Sequence, residues 1–277
     1  MKDLQDLAQR LLVDGTVAVV IGYERGPRGA RPAFVQRPED VERLIFDAEC
    51  VQNLATYLSP RRRHLLKLGR KAVVAKPCDV RAIAGLVREK QVKRDEVVVI
   101  GVRCPGVGED RCVTCTAREP RLADHLVGAA VAAPAAGESQ RDAKLRELEA
   151  MTPAERWNFW QAELSRCVRC HACREICPMC QCDRCVASKT QPQWIESSPH
   201  ARGNLSWQLT RVLHQAGRCV DCGECERACP EGIPLGLLLR KVAEVVDRRF
   251  DFRPSDDPEL PTPIGAYRLD DPQEFIL

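Results

Sequence analysis

The sequence predicts two domains of different structural class: an α/β amino-terminal domain with a short parallel sheet, and an all-α domain after it. In the first half, short runs of β-branched residues alternate with helical stretches, a pattern typical of parallel α/β folds. In the second half, helical stretches flank two cysteine-rich runs. We expect the α/β domain over residues 1–128, a linker and helix over 129–150, the all-α domain over 151–250, and an extended tail over 251–277.

Two buried strands are predicted in the first domain, over residues 73–75 and 97–102, because both segments are short, apolar and β-branched. Each is followed closely by a cysteine, Cys78 after the first and Cys104 after the second. Ligands of parallel α/β domains bind at the carboxyl ends of strands. A helix is predicted over residues 79–89, and its amino end favours a thiolate at Cys78.

The second domain is predicted to contain three main helices after a proline- and alanine-rich boundary at residues 127–140 and a short helix at 141–150. The first begins after Thr152, which has Pro153 as the first helical residue. On it, Trp157, Trp160 and Leu164 either shield a cofactor or form ordinary core. The second is capped by Asn204 and has an apolar face of Leu205, Leu209, Val212 and Leu213. The third begins near Pro234.

Composition indicates a cytoplasmic protein. Lysine and arginine total 42 against 39 acidic residues, and this balance argues against nucleic acid as the main partner. The amino terminus lacks an apolar signal region, and the longest apolar run, residues 126–137, is too short to span a membrane. In a reducing compartment, sixteen cysteines are expected to bind metal rather than to form disulfides.

Eight of these cysteines form two copies of the pattern C-x2-C-x2-C-x3-C-P, which is the spacing of bacterial 4Fe–4S ferredoxins. The first run is Cys167, Cys170, Cys173 and Cys177, and the second is Cys219, Cys222, Cys225 and Cys229. In proteins with two such clusters, the fourth cysteine of each run binds the other cluster. The expected ligands are therefore Cys167, Cys170, Cys173 and Cys229 for cluster 1, and Cys219, Cys222, Cys225 and Cys177 for cluster 2.

Structural zinc is the alternative for these runs. Zinc sites use four ligands, usually as two separated C-x2-C pairs. A third cysteine two residues further on, and a proline after the fourth, have no role in such a site. The spacing therefore favours iron–sulfur clusters.

Three of the other eight cysteines, Cys180, Cys182 and Cys185, lie close together in the segment after the first run. Together with Cys50 they are candidates for a further cluster, designated cluster 4. Alternatively, they shield the ferredoxin ligands, exchange with them, or stay free. The remaining four, Cys78, Cys104, Cys112 and Cys115, follow predicted strands or form a C-x2-C loop, and ordinary buried cysteines are the alternative for each of them.

Residues 73–86, 97–107 and 122–128, with the C-x2-C loop between the last two, resemble the β-subunit family of deazaflavin-reducing hydrogenases and formate dehydrogenases. The resemblance covers about residues 15–128. It implies a 4Fe–4S cluster 3 bound by Cys78, Cys104, Cys112 and Cys115. It also implies FAD, although the glycine-rich segment that helps the family to hold flavin is shortened or missing here.

The order helix–run–helix–run–helix over about residues 150–250 resembles the α-helical ferredoxin module of heterodisulfide reductase C-type subunits and succinate dehydrogenase iron–sulfur subunits. We therefore expect an electron-relay subunit of a cytosolic redox complex, whose partners are the other subunits. One alternative is a flavin-containing oxidoreductase that acts on a deazaflavin or nicotinamide carrier. Another is a scaffold stabilised by zinc.

Overall fold

The computed structural model describes residues 1–132, 137–196, 198–263, 265 and 269–270. The chain divides into two units. The first comprises Met1–Ala143 with Asp256–Pro258, and the second comprises Lys144–Ser255 and the chain from Glu259 onward. Part of the predicted linker, at 133–136, and the end of the predicted tail, at 271–277, lie outside the described residues.

The first unit contains a five-stranded sheet in the order β2-β1-β3-β4-β5. The strands are β1 (Val19–Gly26), β2 (Gly29–Val35), β3 (Lys71–Ala75), β4 (Val97–Val102) and β5 (His125–Val127). The pairs β1–β3, β3–β4 and β4–β5 are parallel, as predicted for this half of the chain. All residues of β3 and β4 are buried, so these two strands form the centre of the core.

The sheet is mixed rather than purely parallel, which corrects the sequence prediction. Strands β1 and β2 form an antiparallel hairpin in which Gly26 pairs with Gly29. Gly29 has a positive φ of 100°, a conformation that glycine adopts without steric cost. β2 was not predicted because its sequence, GARPAFV, contains a proline and an arginine, and it lies at the edge of the sheet, where proline is tolerated.

Three helices belong to the first unit: α1 (Lys2–Val13), α2 (Arg63–Leu66) and α3 (Pro77–Arg88). α3 follows β3 directly and contacts both β3 and β4. Its predicted position is confirmed to within two residues at its start. Because β3 and β4 are parallel neighbours, the residues that follow them lie at the same edge of the sheet.

The regular elements described in the second unit are helices and one short 3-10 turn. After α4 (Gln140–Ala150), within which the two units divide, come α5 (Pro153–Ser165), α6 (Ala172–Glu175), α7 (Ala201–Leu213), α8 (Glu224–Arg227) and α9 (Leu235–Phe250). The predicted starts of α5 and α9 are confirmed. Thr152 and Glu155 form a capping box at α5, and Pro234 caps α9. In the described parts of the chain, no helix is long and apolar enough to cross a membrane.

α7 buries the predicted face only in part: Val212 is 2% exposed and Leu205 packs against the core cluster. The helix begins at Ala201 and is capped by His200, whereas Asn204 lies inside the helix and is buried. Leu213, predicted on the buried face, is 64% exposed. The prediction was wrong for Leu213 and for the cap because it took only apolar residues at helical spacing as the inward face, whereas the observed inward face also carries buried polar residues.

Candidate metal centres

The two cysteine runs have the same backbone conformation. Arg169 and His171 of the first run have positive φ angles of 58° and 62°, and the corresponding Asp221 and Gly223 of the second have 56° and 73°. In each run, a one-turn helix follows, α6 in the first and α8 in the second. Left-handed residues turn a chain sharply, so both runs curl around the space that their cysteines border.

The first cavity has a volume of about 300 Å³. It is bordered by three cysteines of the first run and one of the second: Cys167, Cys170, Cys173 and Cys229. His171, Trp207 and Ile233 complete much of its wall. These four cysteines are the set that the spacing predicts for cluster 1.

The second cavity has a volume of about 400 Å³. It is bordered by three cysteines of the second run and one of the first: Cys219, Cys222, Cys225 and Cys177. Met179, Gln215 and Leu239 also border it. The fourth cysteine of each run therefore lines the cavity of the other run.

Each cavity offers four thiols around a partly open space, a donor set that fits a 4Fe–4S cage. Among the residues with described positions, no three histidine, cysteine, aspartate or glutamate side chains are grouped so that they could hold one metal ion. Thiolate ligands suit iron–sulfur clusters.

Burial controls the protonation of the thiols. It raises the pKa of Cys225 to about 11 and also raises the pKa values of Cys219 and Cys222. Cys177 differs, because a hydrogen bond with the Cys180 thiol lowers its pKa to about 6 although the residue is half-buried. Thiols with raised pKa values must lose protons when they bind metal, so cluster assembly is favoured as the pH rises.

The inward face of α7 carries four buried polar side chains: Asn204, Gln208, Arg211 and Gln215, the last just beyond the helix end. Sequence analysis selected Asn204 only as a helix cap and did not select the other three. Asn204 donates to the Cys167 carbonyl at 2.7 Å, and Gln208 donates to the Cys167 sulfur at 3.4 Å. Arg211 donates to the Cys173 carbonyl at 2.9 Å, and Gln215 donates to the Cys180 sulfur at 3.3 Å. We call this set the polar face of α7.

Trp207, rather than the predicted tryptophans of α5, lines the first cavity. It is 1% exposed, lies edge-on to His171 and is covered by Arg169 at 4.9 Å from its ring centre. Trp157 is 48% exposed, and Trp160 packs with Leu145, Leu148 and Leu237 in a separate core cluster. Of the predicted shielding group, Leu164 alone is buried beside Trp207.

Two of the four cysteines predicted to bind cluster 3, the third set, lie just after the ends of β3 and β4. Cys78 lies in the first turn of α3, and Cys104 follows β4. Burial raises the pKa of Cys104 to about 11, and the nearby thiols of Cys78 and Cys112 raise it further. Arg118 donates to the carbonyls of Cys104 and Cys112, both at 3.4 Å, and folds this loop back on itself. Cys115 belongs to the same loop, with its thiol 3.6 Å from the Ala117 carbonyl oxygen.

A fully buried ion pair lies beside Cys78. Lys76 and Asp79 are both 0% exposed, and Lys76 Nζ lies 3.0 Å from the Asp79 carboxylate. Lys76 also donates to the Gln52 carbonyl at 2.7 Å and to the Tyr23 hydroxyl. Sequence analysis missed this pair, although the segment K-P-C-D places both charges around the cysteine.

The four cysteines of the predicted fourth set are distributed over both units. Cys50, in the first unit, is 0% exposed and accepts a hydrogen bond from the Asp47 amide at 3.3 Å. In the second unit, Cys180 lies against Gln215, Cys182 is exposed, and Cys185 packs against the core cluster that contains Trp207. A shared cluster for this set stays a prediction.

Comparison with known families defines the class of protein. Residues 163–233 match the family model of the 4Fe–4S dicluster domain, and this range includes all eight cysteines of the two runs. The chain is therefore an iron–sulfur protein of the electron-transfer class with more than one 4Fe–4S cluster.

Three individual proteins of similar sequence indicate more closely which iron–sulfur proteins the chain resembles. The F420-dependent formate dehydrogenase subunit beta of Methanocaldococcus jannaschii is 32% identical over 110 residues, which are 39% of this chain and 28% of that protein. The F420-dependent formate dehydrogenase 1 subunit beta of Methanococcus maripaludis is 23% identical over 359 aligned positions, covering 94% of this chain and 91% of the relative. The succinate dehydrogenase iron–sulfur subunit of Bacillus subtilis is 33% identical over 82 residues, 27% of this chain and 32% of that subunit.

These similarities confirm both resemblances in their general form, to formate dehydrogenase β subunits and to succinate dehydrogenase iron–sulfur subunits. The match spans less than a third of the length of the Methanocaldococcus jannaschii subunit.

Proposed function

We propose that this chain is the electron-relay subunit of a cytoplasmic formate dehydrogenase-like complex, and that its second unit is an α-helical ferredoxin module. One observation carries this proposal. The fourth cysteine of each run lines the cavity of the other run. Each site therefore takes residues from both runs, and the two sites are neighbours. Neighbouring 4Fe–4S clusters supply stepwise one-electron transfer when they are bound.

The chain's own residues hold and insulate these centres. In the proposed arrangement, Cys167, Cys170, Cys173 and Cys229 bind one cluster, and Cys219, Cys222, Cys225 and Cys177 bind the other. Trp207 and Ile233 cover the first site, and Met179 and Leu239 border the second. Apolar walls of this kind exclude water and influence the reduction potential of a metal centre.

The first unit is proposed to extend the relay. Cys78 and Cys112 both act electrostatically on Cys104 near the edge where β3 and β4 end, and Cys115 follows in the same loop as Cys112. We propose these four as ligands of a third cluster.

A second candidate function follows from the names of the formate dehydrogenase relatives, which are F420-dependent. In that case, the first unit would hold FAD and exchange electrons with the deazaflavin carrier. The two functions differ in what the isolated chain can do, since only the second requires bound flavin.

Anaerobic reduction of the purified full chain tests the relay. We expect dithionite to deliver at least about two electrons per chain, one for each 4Fe–4S centre. The Cys222→Ala variant should take up one electron fewer. Failure of the wild-type chain to accept electrons would refute the relay. Reduction by the reduced deazaflavin carrier, with stoichiometric flavin in the preparation, would favour the second function.

A further inference from the structure

Arg211, on the polar face of α7, is a buried cation, and no carboxylate among the described residues pairs with it. It is 4% exposed, and one N–H group donates to the Cys173 carbonyl. Within the described part of the chain, its Nε and Nη1 atoms are buried without hydrogen-bond partners. A guanidinium stays charged in proteins, and a buried charge without compensation is strongly unfavourable. The surroundings of Arg211 must therefore supply negative charge.

Thiols from both cavities surround Arg211. Its guanidinium interacts electrostatically with Cys225, Cys173 and Cys177, in decreasing order. Cys173 lines the first cavity, and the other two line the second. Arg211 therefore interacts with cysteines that line both cavities, and it is hydrogen-bonded to the backbone of one of them, Cys173.

We propose that Arg211 raises the reduction potentials of both centres, an inference that rests on the proposed function. Reduction adds one negative charge to a centre, and a fixed positive charge nearby stabilises the reduced form. Hydrogen bonds to cluster sulfurs act in the same direction on the potential, which depends on net charge, hydrogen bonding and exposure. The low dielectric of the buried site keeps the effect from being screened by solvent.

Three variants of the full chain test this proposal. Arg211→Gln removes the buried charge. Arg211→Lys keeps the charge but replaces the planar guanidinium and its N–H donors by an ammonium group. Arg202→Gln is the matched control, because Arg202 lies on the same helix, is exposed and loses the same charge. Iron is counted in each protein, and both centres are titrated with electron paramagnetic resonance as the readout.

In Arg211→Gln, we expect the ratio of reduced to oxidised form to fall at least tenfold for both centres, which is about 59 mV for a one-electron couple. Arg211→Lys should shift by less than tenfold, and Arg202→Gln should match the wild type. If Arg211→Gln holds its iron and either centre keeps the wild-type potential, the proposal is overturned.

If Arg211→Gln does not retain iron, Arg211→Lys decides the question. A lysine variant that holds iron at nearly wild-type potentials supports the role of the charge, whereas one that also loses iron overturns it. A wild-type chain without iron would instead refute the proposed function itself, so the two failures are distinguishable.

Discussion

Replacement of Cys229 by alanine is expected to remove the cluster of the first run, although Cys229 belongs to the second run. Cys229 lines the first cavity, together with Cys167, Cys170 and Cys173. Alanine offers no ligand, so the chain should lose about four irons, the content of one 4Fe–4S centre. The lost centre should be identified by electron paramagnetic resonance of the reduced protein.

Two reference variants assign the lost signal. Cys170→Ala removes a residue of the first cavity, and Cys222→Ala removes a residue of the second. We expect the spectrum of Cys229→Ala to match that of Cys170→Ala. A match to Cys222→Ala would show that each run binds its own cluster, and would refute the crossed arrangement.

Removal of iron from the chain is expected to unfold the second unit and to leave the sheet of the first unit folded. Cys173 and Cys225 are buried in the second unit's core cluster, and four further cysteines pack against it. Without a cluster, Arg211 would remain buried without a counter-charge, a loss on the order of 3–5 kcal/mol. A whole domain is stable by only about 5–15 kcal/mol, so this loss is large. By contrast, β3 and β4 are buried along their whole length, and Lys71 is their one charged residue, so their stability does not depend on a cluster.

Hydrogen exchange of the iron-free and the reconstituted chain measures this difference element by element. After iron removal, the backbone amides of α7 and α9 should exchange rapidly, while those of β3 and β4 stay protected. Reconstitution with iron and sulfide should restore protection in α7 and α9, which is the control for irreversible damage. Equal protection of α7 in both states would contradict the expected dependence of the unit on its clusters.

The cysteine spacing could be interpreted from the sequence because the loop that binds a cluster is defined by residues close together in the chain. Three thiols two residues apart, and a fourth before proline, define a loop around a cluster whatever the rest of the fold is. The helix starts at Thr152 and near Pro234 were predictable for the same reason, since capping depends on a few adjacent residues.

The polar face of α7 could not be found by the rule that buried faces are apolar. That rule selected Leu213, which is exposed, and overlooked Arg211, which is buried. The sequence did contain an indication of this polar face. Between the two cysteine runs, polar residues recur at steps of four, three and four residues: Asn204, Gln208, Arg211 and Gln215. Next to an anionic cluster, the inward face of a helix can be polar because its donors gain partners there.

Strand β2 and the pair of Lys76 with Asp79 were missed for another reason. β2 gains its strand conformation from pairing with β1 rather than from its own composition, which includes Pro32. The charges of Lys76 and Asp79 resemble surface residues in the sequence, but their positions beside β3 place them in the interior. Both features depend on contacts between segments, which a local pattern does not contain.

The proposed electron-relay function depends most directly on the presence of two 4Fe–4S centres in the second unit. Iron, acid-labile sulfide and zinc should be counted per chain in full-length protein purified without oxygen. We expect at least about eight irons and as many sulfides, four for each centre, rising to about sixteen if the third and fourth cysteine sets also bind clusters. Stoichiometric zinc in place of iron would contradict the account.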